Sequence, residues 1–165
     1  MVVWHYTKAI HLPRILAEGC IKPATAGVRG SKRPIVWFST NEWFEWTVGT
    51  GRLENGNYVE DTFEEMNAKY GLARIGVARE TAPYTWRDLK KLSGMRPGDA
   101  KKLVQAAIRR GASPHEWRGT FEPVPKEKWL AVQVYEGERW VDRAEVTEGA
   151  EAGDVSDGGP THRAR

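Results

Sequence analysis

The sequence predicts an α+β domain. Strand-like and helix-like segments are mixed without the regular strand–helix–strand period of a doubly wound sheet, no Gly-x-Gly-x-x-Gly follows a strand, and the apolar part of the chain closes on a β hairpin.

Each element follows from its residues. Val2 to Tyr6 reads as a short strand, followed by a helix with Pro13 in its first turn, Leu12, Ile15 and Leu16 on one face, and Gly19 as its stop. A Gly/Pro-rich loop from Lys22 to Pro34 leads into Ile35-Val36-Trp37-Phe38-Ser39, an apolar run of buried-strand type that ends in polar Ser39-Thr40-Asn41. Residues 48–61 hold three Gly and little apolar material, so they read as a long loop. Thr62 and Glu65 form a capping box for a helix reaching Tyr70, where Gly71 ends it, and Ala73, Ile75 and Val77 then alternate as a strand. From Asp99 to Arg110, Ala100, Leu103, Val104, Ala107 and Ile108 fall on one helical face, with Gly111 as terminator. Trp129 to Tyr135 reads as a strand that turns at Glu136-Gly137-Glu138 into Arg139-Trp140-Val141.

With 165 residues, 40% of them hydrophobic, and eight Trp, the chain has material for one well-filled core. We place that domain at residues 1–146. Residues 147–165 are Gly-rich and acidic with almost no large apolar side chain, and are expected to be disordered. No repeat is present, which excludes a solenoid. No apolar run approaches the roughly 18 residues of a membrane span, and the N-terminus lacks the pattern of a signal peptide, so a cytoplasmic protein without a membrane partner is expected. Cys20 stands alone and neither Cys-x-x-Cys nor His-Glu-x-x-His occurs, so neither a disulfide nor a metal site is expected. The net charge of +3 rises to +5 over residues 1–146, and basic residues concentrate between Arg87 and Arg118. Such a segment suits nucleic acid or a pyrophosphate, and equally a solvated helix face.

Four features form one pattern: His5-Tyr6-Thr7 at the end of the first strand, Leu12-Pro13-Arg14-Ile15-Leu16-Ala17-Glu18-Gly19 in the first helix, an apolar strand ending in Ser39-Thr40, and a late Glu122 before a strand. The first two resemble the opening of ADP-ribosyltransferase toxins that modify DNA and, more loosely, RNA 2′-phosphotransferases of the same fold. Glu122-Pro123-Val124-Pro125 resembles the segment bearing the catalytic glutamate of those toxins, at a spacing one residue shorter. The resemblance covers about a third of the chain. It implies a split β-sandwich with flanking helices that grips NAD as a substrate. It further implies that His5 contacts the adenosine ribose, that Tyr6 and Thr7 line the pocket, that Ser39 supports it, and that Glu122 is catalytic.

The residue types fit that chemistry. Breaking the nicotinamide–ribose bond builds positive charge on the ribose, which a carboxylate stabilises while it polarises the incoming nucleophile. Trp37, Phe38, Trp43 and Trp46 offer an apolar wall for nicotinamide. Glu122 is favoured because it sits between Phe121 and Val124, where burial of a carboxylate calls for a purpose; Glu45, among Trp43, Phe44 and Trp46, is the second candidate and replaces Glu122 if that residue is exposed and remote from His5. Glu116 and Glu127 compete with both. His5 also suits a strand residue satisfied by backbone groups, Ser39-Thr40-Asn41 also makes a good turn, and most of the Trp residues suit core packing.

The function expected is transfer of ADP-ribose from NAD to a macromolecular acceptor, nucleic acid or protein, as suits a toxin, phage or anti-phage effector. A non-catalytic nucleic-acid- or protein-binding module on the same scaffold is the alternative. An NAD-dependent RNA 2′-phosphotransferase would need a set of phosphate-binding Arg around the His that the sequence does not place.

Overall fold

Alternation of side chains along the first strand decides the layering. In the computed structural model, which describes residues 1–25, 28–30 and 32–143, Val3 enters one apolar cluster while Trp4 and Tyr6 enter another. The elements in chain order are β1 (Val2–Lys8), α1 (Leu12–Glu18), β2 (Cys20–Ile21), β3 (Val36–Ser39), β4 (Gly51–Glu54), β5 (Asn57–Glu60), α2 (Phe63–Tyr70), β6 (Leu72–Ala78), β7 (Tyr84–Thr85), α3 (Trp86–Leu92), α4 (Pro97–Arg109), β8 (Trp117–Thr120), β9 (Val124–Pro125), β10 (Trp129–Glu136) and β11 (Arg139–Asp142). The architecture is mixed α+β. Seven strands form one antiparallel sheet in the order β11-β10-β6-β1-β3-β8-β7, and β2-β9 and β4-β5 form separate pairs.

The sheet is joined unevenly. β1 pairs with β6 over seven positions, from Val2↔Ala78 to Lys8↔Leu72, whereas β1 and β3 share only Trp4↔Ser39. Beyond that pair the two strands diverge and the sheet opens into halves, β11-β10-β6-β1 and β3-β8-β7. One face is covered by α1, whose Leu12 and Ile15 pack with Val3, Val36, Phe38 and Ile75. On the opposite face α2 contributes Phe63 and Met66 beneath Trp4, Tyr6 and Phe44, and α4 contributes Ala107 and Leu103 beside Trp117 and Trp37. Apolar burial of this kind contributes about 25 cal/mol per Å².

The local signals act as expected at the helices. Gly19 closes α1 at φ 61°, donating from its N–H to the Ile15 and Leu16 carbonyls. Thr62 Oγ1 accepts from Glu65 N at 3.2 Å and Glu65 Oε2 accepts from Thr62 N at 2.8 Å, a complete capping box on α2. α4 begins at Pro97, two residues before the expected start, and its C-terminal Ile108 is exposed rather than packed.

Residues 48–61 depart from the expected loop. They contain the β4–β5 hairpin, turned by Asn55 at φ 51° and Gly56 at φ 79°. Asn-Gly suits the left-handed pair of a two-residue hairpin turn, so the signal was present in the composition that was read as loop. Asp61 pins the hairpin's end, accepting from Thr50 Oγ1 at 2.7 Å, Arg52 Nη1 at 3.0 Å and Lys69 Nζ at 2.6 Å, and these partners hold its carboxyl at about 2. The expected disordered tail at 147–165 lies outside the described residues. No helix among the described residues is long and apolar enough to cross a membrane.

Candidate functional site

A cavity of about 330 Å³ lies where β1 and β3 part. Its volume falls in the range of small-molecule sites, roughly 300–1,000 Å³. The divergence explains an otherwise impossible lining. Trp4, Tyr6, Trp37, Ser39 and Trp117 belong to the α2/α4 face of the sheet, whereas His5 and Phe38 belong to the α1 face, yet all of them border this cavity. An intact sheet would separate the two sets.

His5 spans the opening. Its Nδ1 lies 2.9 Å from the Trp37 carbonyl, which can only accept, so Nδ1 carries the proton and Nε2 presents a lone pair. Burial pushes its pKa below 6.5, more than this backbone bond raises it, and the ring is neutral near pH 7. Phe38 flanks it at 5.8 Å between ring centroids. The site therefore has an uncharged hydrogen-bond acceptor at one wall.

The loop after β3 supplies the carboxylate. Ser39 Oγ accepts from Asn41 N at 3.1 Å, and Asn41 Oδ1 accepts from Trp43 N at 2.9 Å and Phe44 N at 3.4 Å, so the Ser-Thr-Asn sequence serves as a turn and also borders the cavity. This turn drives Phe44 into the core and brings Glu45 inward behind it. Glu45 is 7% exposed. Its Oε1 accepts from Thr47 N at 3.2 Å, Thr47 Oγ1 at 2.9 Å and Trp117 Nε1 at 3.3 Å, while its Oε2 is buried without a partner. A carboxylate buried with one oxygen unpaired is costly to fold around, and that cost is typical of a group kept for binding or catalysis.

Tyr6 is set rather than free. Its hydroxyl donates to the Asn41 carbonyl at 2.6 Å and receives Arg74 Nη1 at 3.3 Å; burial pushes its pKa up to about 12, so it stays protonated. Arg74, itself buried, also donates to the Glu42 carbonyl and lies 3.8 Å from the Trp4 ring centroid. The guanidinium thus clamps the Glu45 loop to β1 and β6.

Not every expected residue reaches the cavity. Glu122 is exposed and does not line it, so the burial inferred from its apolar neighbours does not occur: Val124 turns inward against Ile21 while Glu122 faces solvent. Glu127 is exposed, and Glu116 accepts from Asn41 Nδ2 at 3.2 Å outside the cavity. Thr7 lies in an adjoining groove with Arg14 and Lys22, which meets the cavity at His5 and Ala24. Of the aromatic residues expected to form a wall, Trp37 and Phe38 line the cavity; Trp43 stacks on Phe63 at 5.6 Å and Trp46 packs against Phe44 at 5.2 Å. Trp117 and Thr47 are the contributors that sequence reading missed. Thr47 stands two residues after an acid, a spacing that signals a local side-chain cap. No local pattern marks Trp117, because only the β3–β8 pairing Ser39↔Trp117 brings it to Glu45.

Comparison of the chain with family models, curated proteins and solved structures gave no match.

Proposed function

We propose that the protein is an NAD-consuming ADP-ribosyltransferase with a split sheet of the ADP-ribosyltransferase type, and that Glu45 is its catalytic carboxylate. The carrying observation is the Glu45 side chain, fixed through Oε1 by Thr47 and Trp117 with Oε2 unpartnered, in the same cavity as a neutral His5.

In this reading nicotinamide packs against the cavity side of Trp37 and Trp117, whose rings meet edge-to-face at 5.9 Å, and the ribose lies between Glu45 and His5. His5 Nε2 accepts from a ribose hydroxyl. The adjoining groove takes the pyrophosphate and adenylate, with Arg14 matching the phosphate charge and Lys22 exchanging its Glu18 partner, at 3.2 Å, for a phosphate oxygen. As the C1′–N bond breaks, its electron pair leaves with nicotinamide and positive charge develops on the ribose, where the Glu45 carboxylate stabilises it. The acceptor's nucleophilic atom then bonds to C1′ and its proton passes to Glu45. Desolvation by the surrounding Trp residues strengthens the charge interaction.

The test is nicotinamide release from NAD by the purified protein, followed by the fate of labelled ADP-ribose in cell extract. Release that requires Glu45, with label on macromolecules, supports transfer. Absence of NAD binding and turnover, with and without extract, refutes the reading and leaves a binding module.

A further inference from the structure

A second concave surface lies on the far side of the Trp37–Trp86–Trp117 cluster. α3 and α4 border a groove lined by the aliphatic Met95, Pro97, Ala100 and Val104, with Trp86 and Gln105 beside them and Lys90, Lys91 and Lys101 as its charged residues. Among the described residues no carboxylate lies within 4 Å of any of these three ammonium groups. The nearby acids are committed elsewhere: Asp88 accepts from Thr85 N at 3.0 Å and Thr85 Oγ1 at 2.7 Å at the start of α3, and Asp99 pairs with Lys32 at 2.7 Å. The groove continues toward the main cavity, since Met95 also borders an intermediate depression that shares Trp37 and Leu103 with it.

We propose that this groove docks an acidic polypeptide segment of a partner protein, with an aliphatic side chain seated on Met95 and Val104 and flanking carboxylates on Lys90, Lys91 and Lys101. Three cations with no carboxylate within 4 Å, of which Lys91 has only a longer-range attraction to Asp88, select an anionic partner. The lining then separates a polypeptide from a nucleic acid. A base needs a free aromatic face, and the groove's single ring, Trp86, is engaged by Trp117 at 5.1 Å and Trp37 at 6.3 Å, with Lys90 Nζ over it at 6.0 Å. The remaining lining offers aliphatic surface, which an aliphatic side chain buries and a nucleotide does not. The inference does not depend on NAD chemistry.

The experiment is panning of displayed random dodecapeptides against the full-length chain at low salt, followed by fluorescence anisotropy of the enriched peptides as synthetic, labelled probes. Enriched sequences are expected to place Asp or Glu on both sides of Leu, Ile, Val or Met. Their affinity should fall about tenfold or more in Lys90→Glu/Lys91→Glu/Lys101→Glu, through repulsion at the groove. Met95→Gln should weaken binding with the three lysines intact, and the melting temperature of the triple variant should stay within a few degrees of wild type. Lack of enrichment, enrichment without acidic residues, equal binding to the triple variant, or tighter binding of oligothymidylate or oligouridylate than of any peptide would each overturn the proposal.

Discussion

Replacing Glu45 by Gln isolates the charge of the proposed catalytic group, because the amide keeps the shape and retains an oxygen for the Thr47 and Trp117 donors now on Oε1. At a separation of about 4 Å and an effective dielectric of about 20, a carboxylate attracts a unit positive charge by ~4 kcal/mol. NAD already carries that charge on nicotinamide before the bond breaks. If about half of the attraction is gained only as charge moves to the ribose, ~2 kcal/mol of the barrier is lost in the variant, or about 30-fold in rate. Loss of a proton acceptor for the nucleophile adds about 10²-fold. The expected fall in transfer kcat is therefore about 10³-fold or more, measured by nicotinamide release and by label transfer. The fold should survive, since the substitution removes a buried charge whose Oε2 had no partner, and the melting temperature should stay within a few degrees of wild type. A folded Glu45→Gln protein with kcat within tenfold of wild type would refute the assignment. Glu122→Gln, at an exposed position, should change kcat by less than about twofold by the same assay.

Trp117→Phe deletes the Nε1–H that reaches Glu45 and trims the aromatic wall; the single long bond to a carboxylate predicts a fall in kcat of about tenfold and the smaller ring a rise in KM, both read in steady-state kinetics. Because burial holds the His5 pKa below its unfolded value, the unfolded chain binds the extra proton first as pH drops, so stability is fully present above about 6.5 and declines beneath it, by at most about 1.4 kcal/mol per pH unit. Urea unfolding between pH 5 and 7.5 should show this slope and His5→Gln should flatten it; an unchanged slope in the variant would place the titration elsewhere. Asp61, held at about 2 by Lys69, Thr50 and Arg52, stabilises the hairpin above its ordinary carboxylate range and loses that contribution as pH falls through about 4 toward 2. Asp61→Asn should accelerate tryptic cleavage at Arg52, read by limited proteolysis, and equal cleavage rates would show that the hairpin is held by other contacts.

Elements governed by nearest neighbours were legible in the sequence. Gly19, the Thr62–Glu65 box and the periodicity ahead of Gly111 fix helices through contacts within one or two turns, and the strands at 2–6, 35–39 and 129–135 announce themselves by apolar runs. The short elements escaped: β7 and β9 have two residues each, too few for a period, and α3 begins at a Trp within a basic stretch that reads as surface. The Asn55-Gly56 turn is masked by the Gly residues around it, whose composition points to loop although Asn-Gly itself favours a hairpin turn.

The choice between the two carboxylates turned on a different scale of interaction. Glu122 and Glu45 both have aromatic or aliphatic neighbours in sequence, and both lie in connections between elements, where the local turn and not the neighbouring residue decides which way a side chain points. What commits Glu45 to the interior is the Asn41 turn that precedes it and the β3–β8 register that sets Trp117 opposite Ser39. The divergence of β1 from β3 then lets a residue on one face, His5, share a cavity with residues on the other. A site made by interrupting a sheet is a property of strand pairing over long sequence separations; His5 and Glu45 come to border one cavity only once Trp4↔Ser39 is formed and the pairing stops there.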